Sequence, residues 1–386
     1  MSSPTATNTA QPLVDTDIPA GNAIIDSVDG DTVHLRPDLR DTQGHWFYWH
    51  VRVRQAAGRT LRFVFPNTAC IGTRGPAVSF DAGATWRWLT NDIFPHADHF
   101  DVTLPGDAHD ARLAMTIPYV PAHLDAFLAT PPATLDAAAI TRETLCTSNA
   151  GHDVPLLRIG NRDNPDARVL VTARHHACES MASFVLEGML AAALADNALM
   201  QRVEIMFIPF VDYDGVVAGD QGKNRAPHDH NRDYAGESVH RETAAIRELV
   251  PSWSAGRLRV GFDLHCPWLR NNPTGEGQNE KVYQVGKQDP THWAQQQRFG
   301  ELLEANLTGP LPYRQSNDLP FGQDWNTGNN YGSFKSSTRW LAEQPGVELA
   351  TTFEIPYANA QGAQVHIEPC RTLGRDILAA LRAWVG

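Results

Sequence analysis

The chain has 386 residues, 42% of them hydrophobic and 20% charged, with a formal charge of −12. Such a composition belongs to a soluble globular protein of one large or two ordinary domains. The acidic balance argues against a nucleic-acid partner. Five scattered cysteines (Cys70, Cys146, Cys178, Cys266 and Cys370) make no close pairs. They read as reduced thiols of a cytoplasmic protein, not as a disulfide framework.

Residues 1–22 are rich in Ser, Thr, Pro and Ala, without a basic n-region or an apolar core. They are expected to be a flexible tail and not a signal peptide. From about Asp26 to Pro131 the pattern is alternating. Phe47, Trp49, Val51 and Val53 face one way, Tyr48, His50, Arg52 and Arg54 the other. Leu61, Phe63 and Phe65 repeat this, as do Phe100, Val102 and Leu104, then Leu113, Met115, Ile117 and Tyr119. Period-two alternation between turn residues such as Asp81-Ala82-Gly83 predicts an antiparallel β-sandwich over 23–135. A Pro- and Ala-rich stretch, Pro131 to Ala139, marks the expected boundary.

Residues 136–386 alternate strands and helices. Arg168–Thr172, Arg202–Ile208 and Leu258–Leu264 read as strands. Ser180–Leu194, Glu237–Leu249 and the C-terminal Arg371–Trp384 read as helices. The pattern predicts an α/β/α domain with a mixed, largely parallel central sheet. The most apolar helical stretch, Phe184–Met200, is interrupted by Glu187 and Asp196 and is too polar and short to span a bilayer.

His176-Ala177-Cys178-Glu179 follows the first of these strands, and Asp263-Leu264-His265 ends the third. Two His and one carboxylate form a ligand set that holds a catalytic zinc with one position open. In open α/β sheets, sites form at the carboxyl ends of strands, where His176 and His265 can converge. HxxE alone is a weak signal, but further elements follow in order. Asp229 is a carboxylate suited to the far nitrogen of a metal-bound imidazole. Asn231 and Arg232 suit a carboxylate clamp. Arg225 suits an oxyanion. Glu354, in Thr351-Thr352-Phe353-Glu354, is costly to bury without a purpose such as general-base catalysis. Tyr331 lies in a Gly/Asn-rich loop. Cys178 and Cys266 sit beside presumed ligands and read as small packing residues.

This ordered set resembles the zinc metallocarboxypeptidases, and most of all their cytosolic carboxypeptidase branch, which carries a β-sandwich before the catalytic domain. The resemblance runs from about Asp26 to the C-terminus. It implies one zinc per chain held by His176, Glu179 and His265, with Asp229 behind His176. It implies Glu354 as general base and proton shuttle, Arg225 as oxyanion partner, and Asn231 and Arg232 as the clamp on a substrate's C-terminal carboxylate. Tyr331 would close over the substrate. Arg339, with Lys335 nearby, falls where the family's specificity pocket is lined, which implies a preference for C-terminal Glu or Asp.

The expected partner is therefore a peptide or protein C-terminus, with no nucleic acid and no membrane. Two other readings stay open: a deacylase or amidase of the same fold acting on N-acyl amino acids, and a binding module whose catalytic domain is inactive. Oligomeric state is not legible.

Overall fold

The computed structural model describes residues 10–66, 68–129, 139–271 and 277–386. The chain forms two compact units. One comprises Met1–Pro118 with Ala218–Gln221, the other Tyr119–Val217 with Gly222–Gly386. The boundary expected after residue 135 lies outside the described residues, and helix α1 (Pro121–Ala129) already belongs to the second unit.

The first unit holds β1 (Leu13–Asp15), β2 (Ile24–Asp29), β3 (Thr32–Arg36), β4 (His50–Arg54), β5 (Thr60–Val64), β6 (Ala77–Ser79), β7 (Arg87–Trp88), β8 (His99–Thr103) and β9 (Ala111–Ala114). They form two sheets, β1-β4-β9-β6-β7 and β2-β3-β5-β8. Aromatic rings join the sheets. Trp49, beside β4, lies 5.9 Å from Phe100 of β8, which stacks on Phe63 of β5 at 4.9 Å. The alternation thus marks a sandwich core, as the pattern predicts. Two details differ from expectation. Leu13–Asp15, within the expected tail, pairs with β4 because Asp15 binds Arg52 and Arg54 at 2.9 and 2.8 Å. The pair β3–β5 is parallel, not antiparallel.

The second unit carries β10 (Thr141–Thr147), β11 (Asp153–Gly160), β12 (Ala167–Ala173), α2 (Ser180–Ala195), α3 (Asn197–Met200), β13 (Val203–Ile208), α4 (Tyr213–Ala218), α5 (Arg241–Ser254) and β14 (Leu258–His265). It continues with β15 (Tyr283–Val285), α6 (Pro290–Ala305), α7 (Gly328–Tyr331), α8 (Ser337–Ala342), β16 (Leu349–Glu354), the short hairpin β17 (Asn359–Ala360) and β18 (Ala363–Gln364), and α9 (Ile367–Val385). Seven strands make one mixed sheet in the order β10-β11-β13-β12-β14-β16-β15. The inner four, β13-β12-β14-β16, are parallel. Each is buried along its whole length or nearly so, as strands of a parallel sheet commonly are. The outer pairs β10–β11, β11–β13 and β15–β16 are antiparallel.

Helices α2 and α9 approach closely through two glycines. A Cβ on Gly188 would lie 2.0 Å from the Arg371 carbonyl oxygen, and one on Gly374 would lie 2.1 Å from that of Val185. The same contact holds Glu187, the charge that breaks the apolar run of α2. Its carboxylate accepts from Tyr119 Oη at 2.7 Å and pairs with Arg371 at 2.8 Å. Helix α5 starts at Arg241, later than the expected Glu237. The Asp233 carboxylate takes the backbone N–H groups of Val239 and His240 at 3.0 Å each and holds that stretch as a loop.

Candidate active site

The parallel strands deliver their carboxyl ends to one place. Ala173, the last residue of β12, pairs with Leu264 of β14, and His265 pairs with Glu354 of β16. After β12 the backbone turns sharply: Arg174 sits at φ +62°, in the left-handed region. Its guanidinium holds the turn, donating to Ala177 O at 3.0 Å, Tyr119 O at 2.9 Å and Ser183 Oγ at 3.1 Å. Strain of this kind persists where surrounding contacts over-determine it, commonly at functional sites. The turn ends at Glu179, the residue before α2, whose side chain makes no capping hydrogen bond. Its carboxylate is therefore directed to the site.

There, His176 Nδ1 lies 2.9 Å from Glu179 Oε1, and His265 Nδ1 lies 2.8 Å from Glu179 Oε2. His176, Glu179 and His265 each offer a ligand atom within 4.8 Å of the others. The far nitrogens of both imidazoles face carboxylates. His265 Nε2 is 2.8 Å from Asp263 Oδ2, and His176 Nε2 is 3.6 Å from Asp229 Oδ1. This backing fixes ring orientation and raises ligand basicity.

A second group, His175, Asp263 and His265, has the same proximity. Both nitrogens of His175 are already engaged, Nδ1 with Asp263 and Nε2 with Tyr234 Oη, at 2.8 Å each. His175 is fully buried, whereas the His176 side chain keeps 13% exposure. The His176 group is the one that a substrate can reach.

Burial alone would raise Glu179, but Lys223, His176 and His265 hold its carboxyl well below the usual range. Asp263 is likewise held low against burial by His175 and His265. Glu354 behaves oppositely: burial, reinforced by Glu179, pushes it up to about 7 against the opposing pull of His265. Its Oε2 is buried with no hydrogen-bond partner among the described residues. A buried carboxylate oxygen left unpaired next to a ligand set is the placement expected of a proton acceptor.

The remaining expected residues divide. Asn231 is at the site: its Nδ2 lies 3.2 Å from His265 Nε2, and its Oδ1 accepts from Ser337 N at 2.9 Å. Arg232 lies over the Tyr331 ring at 4.9 Å, and Arg339 lies over the same ring at 3.5 Å. Tyr331 is buried, its hydroxyl donating to Asn326 Oδ1 at 3.2 Å. Arg225 pairs with Asp212 at 2.8 Å, while the cation on Glu179 is Lys223, at 2.5 Å. Lys335, expected near the specificity pocket, pairs with Glu343 at 2.7 Å. Cys178 and Cys266 are buried, and burial pushes the Cys178 thiol up to about 12, as suits packing residues. Arg174 and Lys287, a lysine buried two residues beyond β15, were not marked by any local motif, and Asp263 and Lys223 were marked only as neighbours of His265 and Arg225.

Comparison with known proteins follows the same lines. No family model matches the chain. It is 26% identical over 319 residues to cytosolic carboxypeptidase 2 of Danio rerio, covering 72% of this chain and 43% of that protein. The chain thus spans less than half the length of the curated relatives it matches. Among solved structures, a metallo-carboxypeptidase from Burkholderia cenocepacia superposes with a TM-score of 0.75 at 20% identity, covering 97% of this chain and 98% of that one. The fold is that of the metallocarboxypeptidases. The metallo-carboxypeptidase of Pseudomonas aeruginosa, solved in complex with (2-guanidinoethylmercapto)succinic acid, gives a TM-score of 0.73 at 20% identity over 97% of this chain and 99% of that chain. In sequence, the similarity of this metallocarboxypeptidase-fold chain is to the cytosolic carboxypeptidases.

Proposed function

We propose that this chain is a zinc-dependent metallocarboxypeptidase that removes the C-terminal residue of peptides or proteins, with a preference for Glu or Asp. The observation that carries the reading is the pairing of a two-His, one-Glu ligand set with the buried Oε2 of Glu354 on the neighbouring strand, which has no hydrogen-bond partner among the described residues. The donor set fits zinc: two imidazoles backed by carboxylates and one carboxylate, close together and reachable.

His176, Glu179 and His265 would hold the ion, one per chain. It would supply Lewis acidity, which makes a water more acidic and polarises a carbonyl. Glu354 takes the proton of that water as the water oxygen attacks the last peptide carbonyl carbon. The C–N bond breaks, and Glu354 passes the proton to the leaving amine. The products are a shortened peptide with a new carboxylate and a free amino acid. Arg232 grips the substrate's terminal carboxylate beside Asn231 and so orients the scissile bond. Lys223 takes the oxyanion role that the sequence pattern assigned to Arg225. Its ammonium already lies at the ligand set, whereas Arg225 is committed to Asp212. A cytoplasmic setting is part of this proposal, supported by the similarity to cytosolic carboxypeptidases. Among the described residues no helix is long and apolar enough to cross a membrane.

The test is metal analysis of the purified protein together with hydrolysis of peptides that differ only in a final Glu, Lys or Phe. One zinc per chain with fastest release of Glu supports the proposal. Fastest release of Lys or Phe removes the acidic preference. Bound zinc without any peptide hydrolysis, but with hydrolysis of N-acyl amino acids, replaces the peptidase by a deacylase.

A further inference from the structure

A chain of hydrogen bonds runs inward from His265, and only one placement of protons satisfies it. Asp263, fully buried on β14, meets three polar side chains. Its Oδ1 accepts from Thr172 Oγ1 at 2.8 Å and lies 2.8 Å from His175 Nδ1. Its Oδ2 lies 2.8 Å from His265 Nε2. An ionised carboxylate can only accept, so both imidazole nitrogens that face it carry protons. That leaves the His265 lone pair on Nδ1, the atom beside Glu179 in the ligand set. A neutral imidazole donates from one nitrogen and accepts at the other. His175 therefore accepts at Nε2, and Tyr234 Oη, 2.8 Å away, donates to it.

Tyr234 is a firm end for this chain. Its ring is buried among Leu156, Leu170 and Trp340, 5.5 Å from the Trp340 ring. Its backbone N–H donates to Lys335 O at 3.2 Å, and three residues earlier Asn231 Oδ1 accepts from Ser337 N. The segment that carries Asn231 and Arg232 is thus strapped twice to the start of α8. At the other end the His175 and His265 rings lie nearly parallel, 13° apart with centroids at 5.8 Å, and share the Asp263 carboxylate.

We infer that Tyr234 and His175 are positioning residues that act through Asp263 to hold the His265 lone pair on Nδ1, toward the metal. Their role rests on the zinc ligand set proposed above, and neither is a ligand in that reading. Without the Tyr234 hydroxyl, His175 Nε2 becomes a buried acceptor with its donor removed, and the ring gains by moving its proton or tilting. Asp263 then loses a charge-assisted bond and holds His265 less firmly.

The experiment measures zinc affinity by competition with a chelating dye, in wild type, Tyr234→Phe, His175→Phe and His175→Asn. Tyr234→Phe keeps the buried ring and should weaken zinc about tenfold. His175→Phe should weaken it by roughly 10–100-fold, as loss of a ligand's supporting group does. His175→Asn returns an N–H to the place of Nδ1 and should recover most of that loss. Ring-nitrogen NMR of the zinc-loaded wild type gives a readout that needs no variant: His175 should carry its proton on Nδ1. Wild-type affinity in Tyr234→Phe and His175→Phe, even with lowered thermal stability, overturns the inference and leaves the ligand set intact. So does a His175 proton on Nε2, or His175→Asn as weak as His175→Phe. Wild type that binds no zinc overturns the ligand set itself, and the positioning role with it.

Discussion

His265 and Glu354 are register partners at the carboxyl ends of the parallel strands β14 and β16. A metal-ligand candidate and a proton-acceptor candidate are thus placed side by side by main-chain hydrogen bonding, not by a loop. Rigid sheet positions of this kind hold reacting groups to small tolerances. Replacing Glu354 with Gln keeps the shape and removes the base. Peptide hydrolysis by Glu354→Gln should fall by about 10²–10⁴-fold, the range of general acid–base contributions. Zinc content, measured alongside, should stay at the wild-type value.

Asp263 supports two imidazoles at once, His265 through Oδ2 and His175 through Oδ1, at 2.8 Å each. Asp263→Asn should weaken zinc affinity by roughly 10–100-fold, as loss of a ligand's outer partner does elsewhere. Competition with a chelating dye measures this directly. An unchanged affinity would show that Asp263 serves only packing.

How much of this was legible depended on how local each feature is. His176 and Glu179 are three positions apart at the start of α2, so spacing alone proposed them. His265 and Glu354 were legible because each ends an apolar run that reads as a strand. Lys287 was not. Its place follows from β15, three residues long, pairing antiparallel to β16 through Val285 and Thr352. No periodicity announces so short a strand. The proposed exchange of Lys223 for Arg225 was hidden for a different reason. The residue between them, Asn224, sits at φ +50°, a local reversal that composition does not reveal. Of the sandwich, the aromatic core was plain in the alternation. The strand in the expected tail was not, because Leu13–Asp15 is held by ion pairs to β4 and not by an apolar pattern.

Helix α2, which Glu179 precedes, meets α9 at Gly188 and Gly374. At Gly374 a Cβ would meet the Val185 carbonyl oxygen at 2.1 Å, and backbone is what would have to move. Gly374→Ala should lower unfolding free energy by about 1–3 kcal/mol or more, the usual cost of overpacking a tight core. Urea denaturation followed by tryptophan fluorescence checks it. Unchanged stability would mean the helices separate at little cost.

Lys287 gives a pH signature in the ligand-free protein. Its folded-state ammonium titrates at about 7, below its ordinary value of 10.5, because burial disfavours the charge. Between those values the unfolded chain binds more protons, so this group makes stability rise with pH. Below about pH 7 the folded state carries the full cost, on the order of a few kcal/mol. Lys287→Met should therefore be more stable than wild type at about pH 7, with the gap closing as the pH approaches about 10. A gap that is constant across this range would show that the ammonium is not the source.

The central claim is that a substrate's free C-terminal carboxylate is gripped next to the ligand set, so that only the last peptide bond is cut. The most direct measurement is mass spectrometry of products from one peptide supplied in two forms, with a free C-terminal Glu and with the same residue amidated, each incubated with the zinc-loaded protein. The account predicts release of a single Glu from the free acid and loss of at least about 99% of the rate on the amide, since the clamp orients the scissile bond. Equal rates on the two forms, or cleavage at internal bonds, would contradict it.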